Sequence, residues 1–299
     1  MPDVWNGDRD PEDLTELIAT SISRDRLERE KFSVLASLYH NSESEDLTRC
    51  LQSILEQTML PAQVVIVLDG PVHQNVHKVL DSFSPRLPLM IVSLKRNQGL
   101  GRALAAGMES CVHELVARVD TDDVSVSDRF EKQVLFLLAR PEVSVVGGVM
   151  RENYIQGDLL ICRDRPGAPT GCNMKKWAQK RNPLNHPTVM FRKSAIDLVG
   201  GYMDCPFFED YYLWMRLIAS SAKIANLDAV LVETHITDDF FSRRGGLDYV
   251  RAERAFLKRL YELKLFGVRQ IIVWIGLRMP LRVMPIALRK IIYIKLLRN

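Results

Sequence analysis

Residues 115–123, LVARVDTDD, decide the fold of this chain. The first five form a short run of the length of a buried strand, which stops at Asp120-Thr121-Asp122-Asp123. Upstream, three more such runs stand at 32–38, 64–68 and 89–94. Helical stretches separate them: 45–58, with Leu47, Leu51, Ile54 and Leu55 on one face, then 73–83. A third helix, running to Ser110, is opened by the glycine-bearing loop 97–101. Strands alternating with helices are βαβ units, and right-handed crossovers lay their strands in a mainly parallel sheet. Such α/β sheets bind ligands beyond the carboxyl ends of their strands. Here those ends carry residues 37–40, Asp69, Arg96 with Asn97, and 120–123. Four strands thus bring polar groups to one rim.

Downstream the pattern predicts a helix over 128–139 and a strand over 143–150. Residues 151–187, rich in Arg, Lys, Gly and Pro, read as loops and short elements of a second half. Strands at 188–191 and 222–232 flank a helix at 209–220, and a basic glycine turn at 242–246 precedes a helix over 247–263. Before the first strand, residues 1–31 read as an extension, with Asp10-Pro11 capping an amphipathic helix through Leu14, Leu17, Ile18 and Ile22.

With 299 residues, 47% hydrophobic and 26% charged, the chain is neither disordered, collagen-like nor a polytopic membrane protein. Five scattered cysteines without a C-x-x-C pair encode neither a disulfide framework nor a zinc site, which fits a reducing compartment. No signal peptide is expected, because residues 1–31 hold nine acids, five bases and no long apolar run. The net charge of +3 hides an asymmetry: from Leu263 onward there are eight bases and no acid, on an otherwise acidic body. Such a tail calls for an anionic membrane or nucleic acid. Its apolar interleaving, Ile271, Trp274, Ile275, Leu277, Ile286, Ile291 and Leu296 among others, favours the membrane and argues against nucleic acid. The longest apolar stretch is too short to span a bilayer, so the expectation is an interfacial helix pair broken at Pro280 and Pro285.

In an extended segment residues two apart face the same way, so Asp120 and Asp122 can flank one ligand. Carboxylates suit Mg²⁺ or Mn²⁺, whose shells a substrate's phosphates commonly complete. The competing reading, Asx turns at a strand end, is weakened by the position on the rim. The NQGLG at 97–101 is a poor dinucleotide fingerprint, since its next glycine is Gly107 and it follows the third strand. Glu209 and Asp210 sit among Phe207, Phe208, Tyr211, Tyr212 and Trp214 at a helix start. They are either dipole-favoured acids over a core or a general base beside rings on which a sugar could stack. Arg243 and Arg244 before two glycines are a solvated turn or an anion clamp. His186 could reach the site or be a satisfied loop histidine.

In order, FSVLASLYHN, VIVLDG, RNQGLGRALAAG, ARVDTDD, NHPTVMFRKSAI, GYMDCPFFEDYYLWMRL and FSRRGG resemble glycosyltransferase family 2 over roughly residues 32–260. The likeness is strongest to bacterial members that build O-antigen and exopolysaccharide. It implies a GT-A fold, a Rossmann-like central sheet flanked by helices, with the amphipathic helical tail attached. It also implies inversion, a nucleotide-sugar donor, usually a UDP-sugar, and Mn²⁺ or Mg²⁺ held by Asp120 and Asp122. Residues 32–150 become the donor-binding half, 151–245 the acceptor-binding half and 246–299 the membrane-associating end. By the same resemblance Leu38, Tyr39, Asp69, Asn97, Arg102, Asp120, Arg243 and Arg244 face the nucleotide. Asp210 is the base with Glu209 beside it, and His186 and Trp214 are acceptor contacts. Phe241 to Gly246 stand where processive members carry Q-x-x-R-W, which favours adding one sugar to a glycan acceptor. That acceptor is expected to be lipid-linked, with the protein peripheral on the inner face of the cell membrane. The rival readings are a sugar nucleotidyltransferase, whose Gly- and Arg/Lys-bearing loop is missing from 37–45, and a non-catalytic membrane-associated protein with a relict site.

Overall fold

The computed structural model describes residues 22–156, 159–169, 172–236 and 245–284. The predicted helix over residues 10–22 therefore lies almost wholly outside the described residues, as do Pro285 and the end of the tail. A short helix α1 (Arg24–Arg29) leads into β1 (Phe32–Leu38), α2 (Ser44–Leu55), β2 (Gln63–Leu68), α3 (Gln74–Phe83) and β3 (Leu89–Ser93). Next come α4 (Leu100–Ser110), β4 (Leu115–Arg118), β5 (Asp123–Ser125), α5 (Arg129–Ala139) and β6 (Val143–Gln156). The second half follows with β7 (Leu159–Arg165), α6 (Met174–Ala178), a 3₁₀ turn (His186–Thr188), β8 (Met190–Arg192) and α7 (Lys193–Leu198). Helix α8 (Glu209–Ala219), β9 (Lys223–His235), α9 (Leu247–Glu262) and α10 (Val268–Val283) complete it.

One sheet runs through both halves in the order β3-β2-β1-β4-β8-β6-β9-β5, with β7 paired to β6. Strands β3, β2, β1 and β4 are parallel, with Leu38 opposite Leu68 and Phe32 opposite Leu115. The apolar runs of β2, β1 and β4 are continuous because both faces are covered, whereas β3, at the edge, leaves Met90 and Ile91 exposed. Phe32, Val34 and Leu38 enter a core under α2, α3 and α5, whereas Leu35 enters another with Ala103, Leu104 and Trp214. Beyond β4 the sheet turns mixed: β8 is antiparallel to β4, β6 to β8 and β5 to β9, while β9 runs parallel to β6.

Two expectations change here. Residues 151–165 are the end of β6 and the partner strand β7, a hairpin rather than loops. Its sequence hides this because polar residues occupy both faces: Glu152 is buried at 1% exposure while Arg151, one step before it, faces outward. The boundary placed at 150 thus falls inside β6. Helix α10 also runs through Pro280 without a break. Proline removes one N–H from the ladder. Tertiary anchors on either side outweigh that loss: Trp274 Nε1 donates to Glu253 Oε1 at 2.9 Å, and Arg282 Nε to Glu253 Oε2 at 3.2 Å. Trp274 thereby joins a third core with Phe208, Tyr211, Tyr249 and Phe256.

Candidate active site

Strand β4 ends at Arg118 and β5 begins at Asp123, so the acids lie where the chain leaves one strand and reverses into another. Single carboxylate oxygens of Asp120, Asp122 and Asp123 come within 4.8 Å of one another. Asp123 joins the pair read from the sequence because it starts a separate strand, so simple alternation does not govern it. Beneath the cluster Arg118, 2% exposed, pairs with Asp120. Fully buried Arg129 donates to Arg118 O at 2.7 Å, Ser125 Oγ at 3.0 Å and Gln133 Oε1 at 3.2 Å, tying β4, β5 and α5 together. Burial pulls the Arg129 guanidinium down to about 9. Burial, reinforced by the charges of Asp120 and Asp122, pushes the Asp123 carboxyl well up. A divalent cation relieves such crowding of hard oxygen ligands, so the donor set fits Mg²⁺ or Mn²⁺.

The second acid group opens α8. Phe207, just before it, has φ 66°, a backbone conformation that costs a bulky residue of order 1–3 kcal/mol and tends to mark functional turns. A Cβ on Gly101 would stand 2.6 Å from Met203 O and 3.3 Å from Glu209 Cβ, so the start of α4 packs directly on this segment. Asn182 Nδ2 donates to Asp210 Oδ2 at 2.6 Å. Burial raises the Asp210 carboxyl, while the Tyr211 N–H, Asn182 and the guanidiniums of Arg118 and Arg165 pull it back. Burial and then the Asp210 charge push Glu209 up to about 7. The two acids therefore titrate in different surroundings.

At the end of β2, two strands from β4, Asp69 is buried and spends both oxygens on the loop before α4. Gln98 N donates to Oδ1 at 2.7 Å and Gly99 N to Oδ2 at 2.9 Å. Gly70 at φ 84° keeps the turn tight, since a Cβ there would lie 2.6 Å from Asn97 N. Asn97 is exposed on this loop, and Arg102 forms a two-pronged pair with Asp204 Oδ2 at 2.9 and 3.1 Å. Tyr39 is exposed at the end of β1, edge-on to His40.

Three expected contacts fare differently. The Leu38 side chain is in the core, so only its backbone, whose carbonyl accepts from Asp69 N at 2.7 Å, borders the rim. Trp214 is fully buried and offers no ring to an acceptor. His186 is buried with Nε2 2.9 Å from the Tyr202 hydroxyl. Burial and Arg118 hold it well below the usual histidine range, hence neutral. Both rings are supports beneath the site, because the helical and 3₁₀ positions they occupy point inward. Arg243 and Arg244 lie outside the described residues. Sequence reasoning missed Arg118, Arg129, Asn182 and Arg165, since a lone Arg or Asn carries no spacing signal.

The chain matches the model of glycosyl transferase family 2 over residues 34–197. It is 39% identical over 270 residues to an uncharacterized glycosyltransferase of Haemophilus influenzae, covering 90% of this chain and all of that one. It is 36% identical over 265 residues to the amylovoran biosynthesis glycosyltransferase AmsE of Erwinia amylovora, covering 88% and 98%. It is 33% identical over 270 residues to an Escherichia coli UDP-Gal:α-D-GlcNAc-diphosphoundecaprenol β-1,3-galactosyltransferase, covering 90% and 97%. Among solved structures, S. aureus TarS 1-349 in complex with UDP is similar at a TM-score of 0.53 and 19% identity, over 82% of this chain and 78% of that one. That likeness extends to the fold.

Proposed function

The chain belongs to glycosyl transferase family 2, and from that premise we propose that it moves one sugar, with inversion, from a UDP-sugar to a lipid-linked glycan in surface polysaccharide assembly. It is a glycosyltransferase of GT-A-like fold, which sets aside the nucleotidyltransferase and relict-site readings. The acceptor class is taken from the name of the Escherichia coli relative. The observation that carries the mechanism is the pairing of two acid groups on one rim, Asp120–Asp122–Asp123 and Glu209–Asp210, with Arg118 acting on both.

In an inverting transfer the acceptor oxygen bonds to the anomeric carbon as the bond to the diphosphate breaks. The electron pair leaves with the nucleoside diphosphate, and the hydroxyl proton needs a base on the opposite side of the sugar. Asp210 is that base, its carboxyl group oriented by the Asn182 amide. Asp120, Asp122 and Asp123 would hold Mn²⁺ or Mg²⁺, and a bound ion would neutralise charge on the departing diphosphate. Asp69 and Asn97, through the loop before α4, and Tyr39 shape the nucleoside end; Arg102 stiffens that loop from outside. Arg243 and Arg244 are assigned to the diphosphate.

No described helix is long and apolar enough to cross a membrane. Val268, Ile272, Val273 and Leu277 of α10, within the basic stretch that begins at Leu263, are exposed at 51–71%. This face is proposed to rest on the anionic inner surface of the cell membrane, where a lipid-linked acceptor lies. The deciding experiment is calorimetric titration of UDP with Mn²⁺. Asp122→Asn should abolish metal-dependent binding while circular dichroism stays unchanged; unchanged affinity would falsify the donor site. A panel of nucleotide-sugars screened by metal-dependent thermal shift then names the donor.

A further inference from the structure

Strands β5, β9, β6 and β7 place a single row of residues across one face of the sheet. Asp123 stands opposite Thr234, Thr234 opposite Glu152, and Glu152 opposite Arg163. The adjoining row holds Ser125, Val232, Met150 and Arg165. Residues directly opposite in a ladder share a face, and neighbouring strands lie about 4.8 Å apart. Two arginines therefore share the face of Asp123, three strands or about 14 Å away from it.

Arg165 is held in place. Glu152, 1% exposed, sits with Oε1 3.6 Å from Arg165 Nη1, while the guanidinium side chain remains 39% exposed. The buried Asn185 amide donates to Arg165 O at 2.8 Å and to Gly148 O at 3.0 Å, pinning the end of β7 to β6. Arg151 points to the other face and is committed to Asp164, at 2.7 and 3.0 Å. A guanidinium has five donors in a rigid fork, so one contact with Glu152 leaves an edge for a phosphate. Its charge also reaches Asp210. Arg165 thus lies within electrostatic reach of Asp210, three strands across the face from Asp123.

We propose that Arg165, seated on Glu152 and flanked by Arg163, binds the diphosphate that joins the acceptor glycan to its lipid. This rests on the lipid-linked acceptor reading above and deepens it. The acceptor is then held at both ends of its sugar, by its diphosphate at Arg165 and by its attacking hydroxyl at Asp210. Glu152 is a positioning residue that keeps the guanidinium from folding back over the sheet.

The test is isothermal titration, with and without saturating UDP and Mn²⁺, of two probes. One is a short-prenyl N-acetylglucosaminyl diphosphate; the other is the matching glycoside without phosphates. Wild type should prefer the diphosphate at least tenfold. Arg165→Ala should erase that preference, Arg165→Lys should keep part of it, and UDP affinity should stay unchanged in both. No preference in wild type, or a preference that survives Arg165→Ala, overturns the proposal. An equal loss of UDP affinity in Arg165→Ala also overturns it, since the guanidinium then serves the donor or the fold. Absence of UDP binding in wild type defeats the donor reading instead, and the preference measured without UDP still decides this one.

Discussion

At the residue scale, Glu209 and Asp210 are adjacent in sequence yet differ in what surrounds each carboxylate. Asn182 donates to Asp210 and favours its ionised form, whereas Glu209 has its desolvation less well compensated and rises to about 7. Asp210→Asn should lower turnover by about 10²–10⁴-fold while leaving UDP affinity intact, read from steady-state kinetics and calorimetry. Asn182→Ala should move the acid limb of the kcat profile to higher pH, because the carboxylate loses a donor that favours its charged form. Glu209, raised like Asp210 by burial, has a stability signature of its own. Its folded pKa lies above its unfolded value, so its contribution is full below about pH 4.5 and is lost as pH rises through about 7. In metal-free protein, Glu209→Gln should match wild type near pH 4. At pH 8.5 it should be more stable by about 1–3 kcal/mol, allowing for partial exposure, in chemical denaturation at both pH values.

At the element scale, the N-terminus of α4 organises the donor side. Its preceding N–H groups are taken by Asp69 from the end of β2, and its first turn packs on the segment that carries Glu209. Asp69→Ala removes two charge-assisted acceptors at once. It should cost about 1.5–3 kcal/mol in urea denaturation and weaken UDP binding, because the loop at 97–99 loses its fixed shape. The hairpin of β6 and β7 has the corresponding position on the acceptor side. Its ladder brings Glu152, Arg163 and Arg165 onto the face that Asp123 shares, although these residues lie 29 to 42 positions along the chain from it.

At the scale of the whole molecule, α10 is both a brace and an exposed apolar surface. Trp274 and Arg282 converge on buried Glu253, and Trp274 packs on Tyr211, which stands next to the proposed base. Cutting the chain near residue 266 would therefore expose the third core as well as remove the tail. Substitution on the outward face separates the two roles. Ile272→Ser combined with Leu277→Ser should abolish sedimentation with anionic liposomes while the melting temperature stays within a few degrees of wild type. Trp274→Ala should do the reverse, lowering stability by about 3–5 kcal/mol through the vacated core volume. Sedimentation of the serine double variant at the wild-type level would sink the membrane assignment.

The sequence by itself determined the βαβ alternation, the mainly parallel sheet of the first half and the rim that carries Asp69, Asn97 and Asp120–Asp123. Those signals are local: an apolar run of strand length, a helical period and a turn residue each occupy a few consecutive positions. It also pointed to Glu209 and Asp210, through the order of its motifs. Only the tertiary structure decided which polar groups meet there. Arg118 and Arg129 lie under the acids, Asn182 reaches Asp210 from 28 positions away, and Trp214 turns into the core. The physical reason is that strand register and helix packing bring together residues far apart in the chain. A buried arginine or asparagine leaves no periodic trace until those neighbours are known.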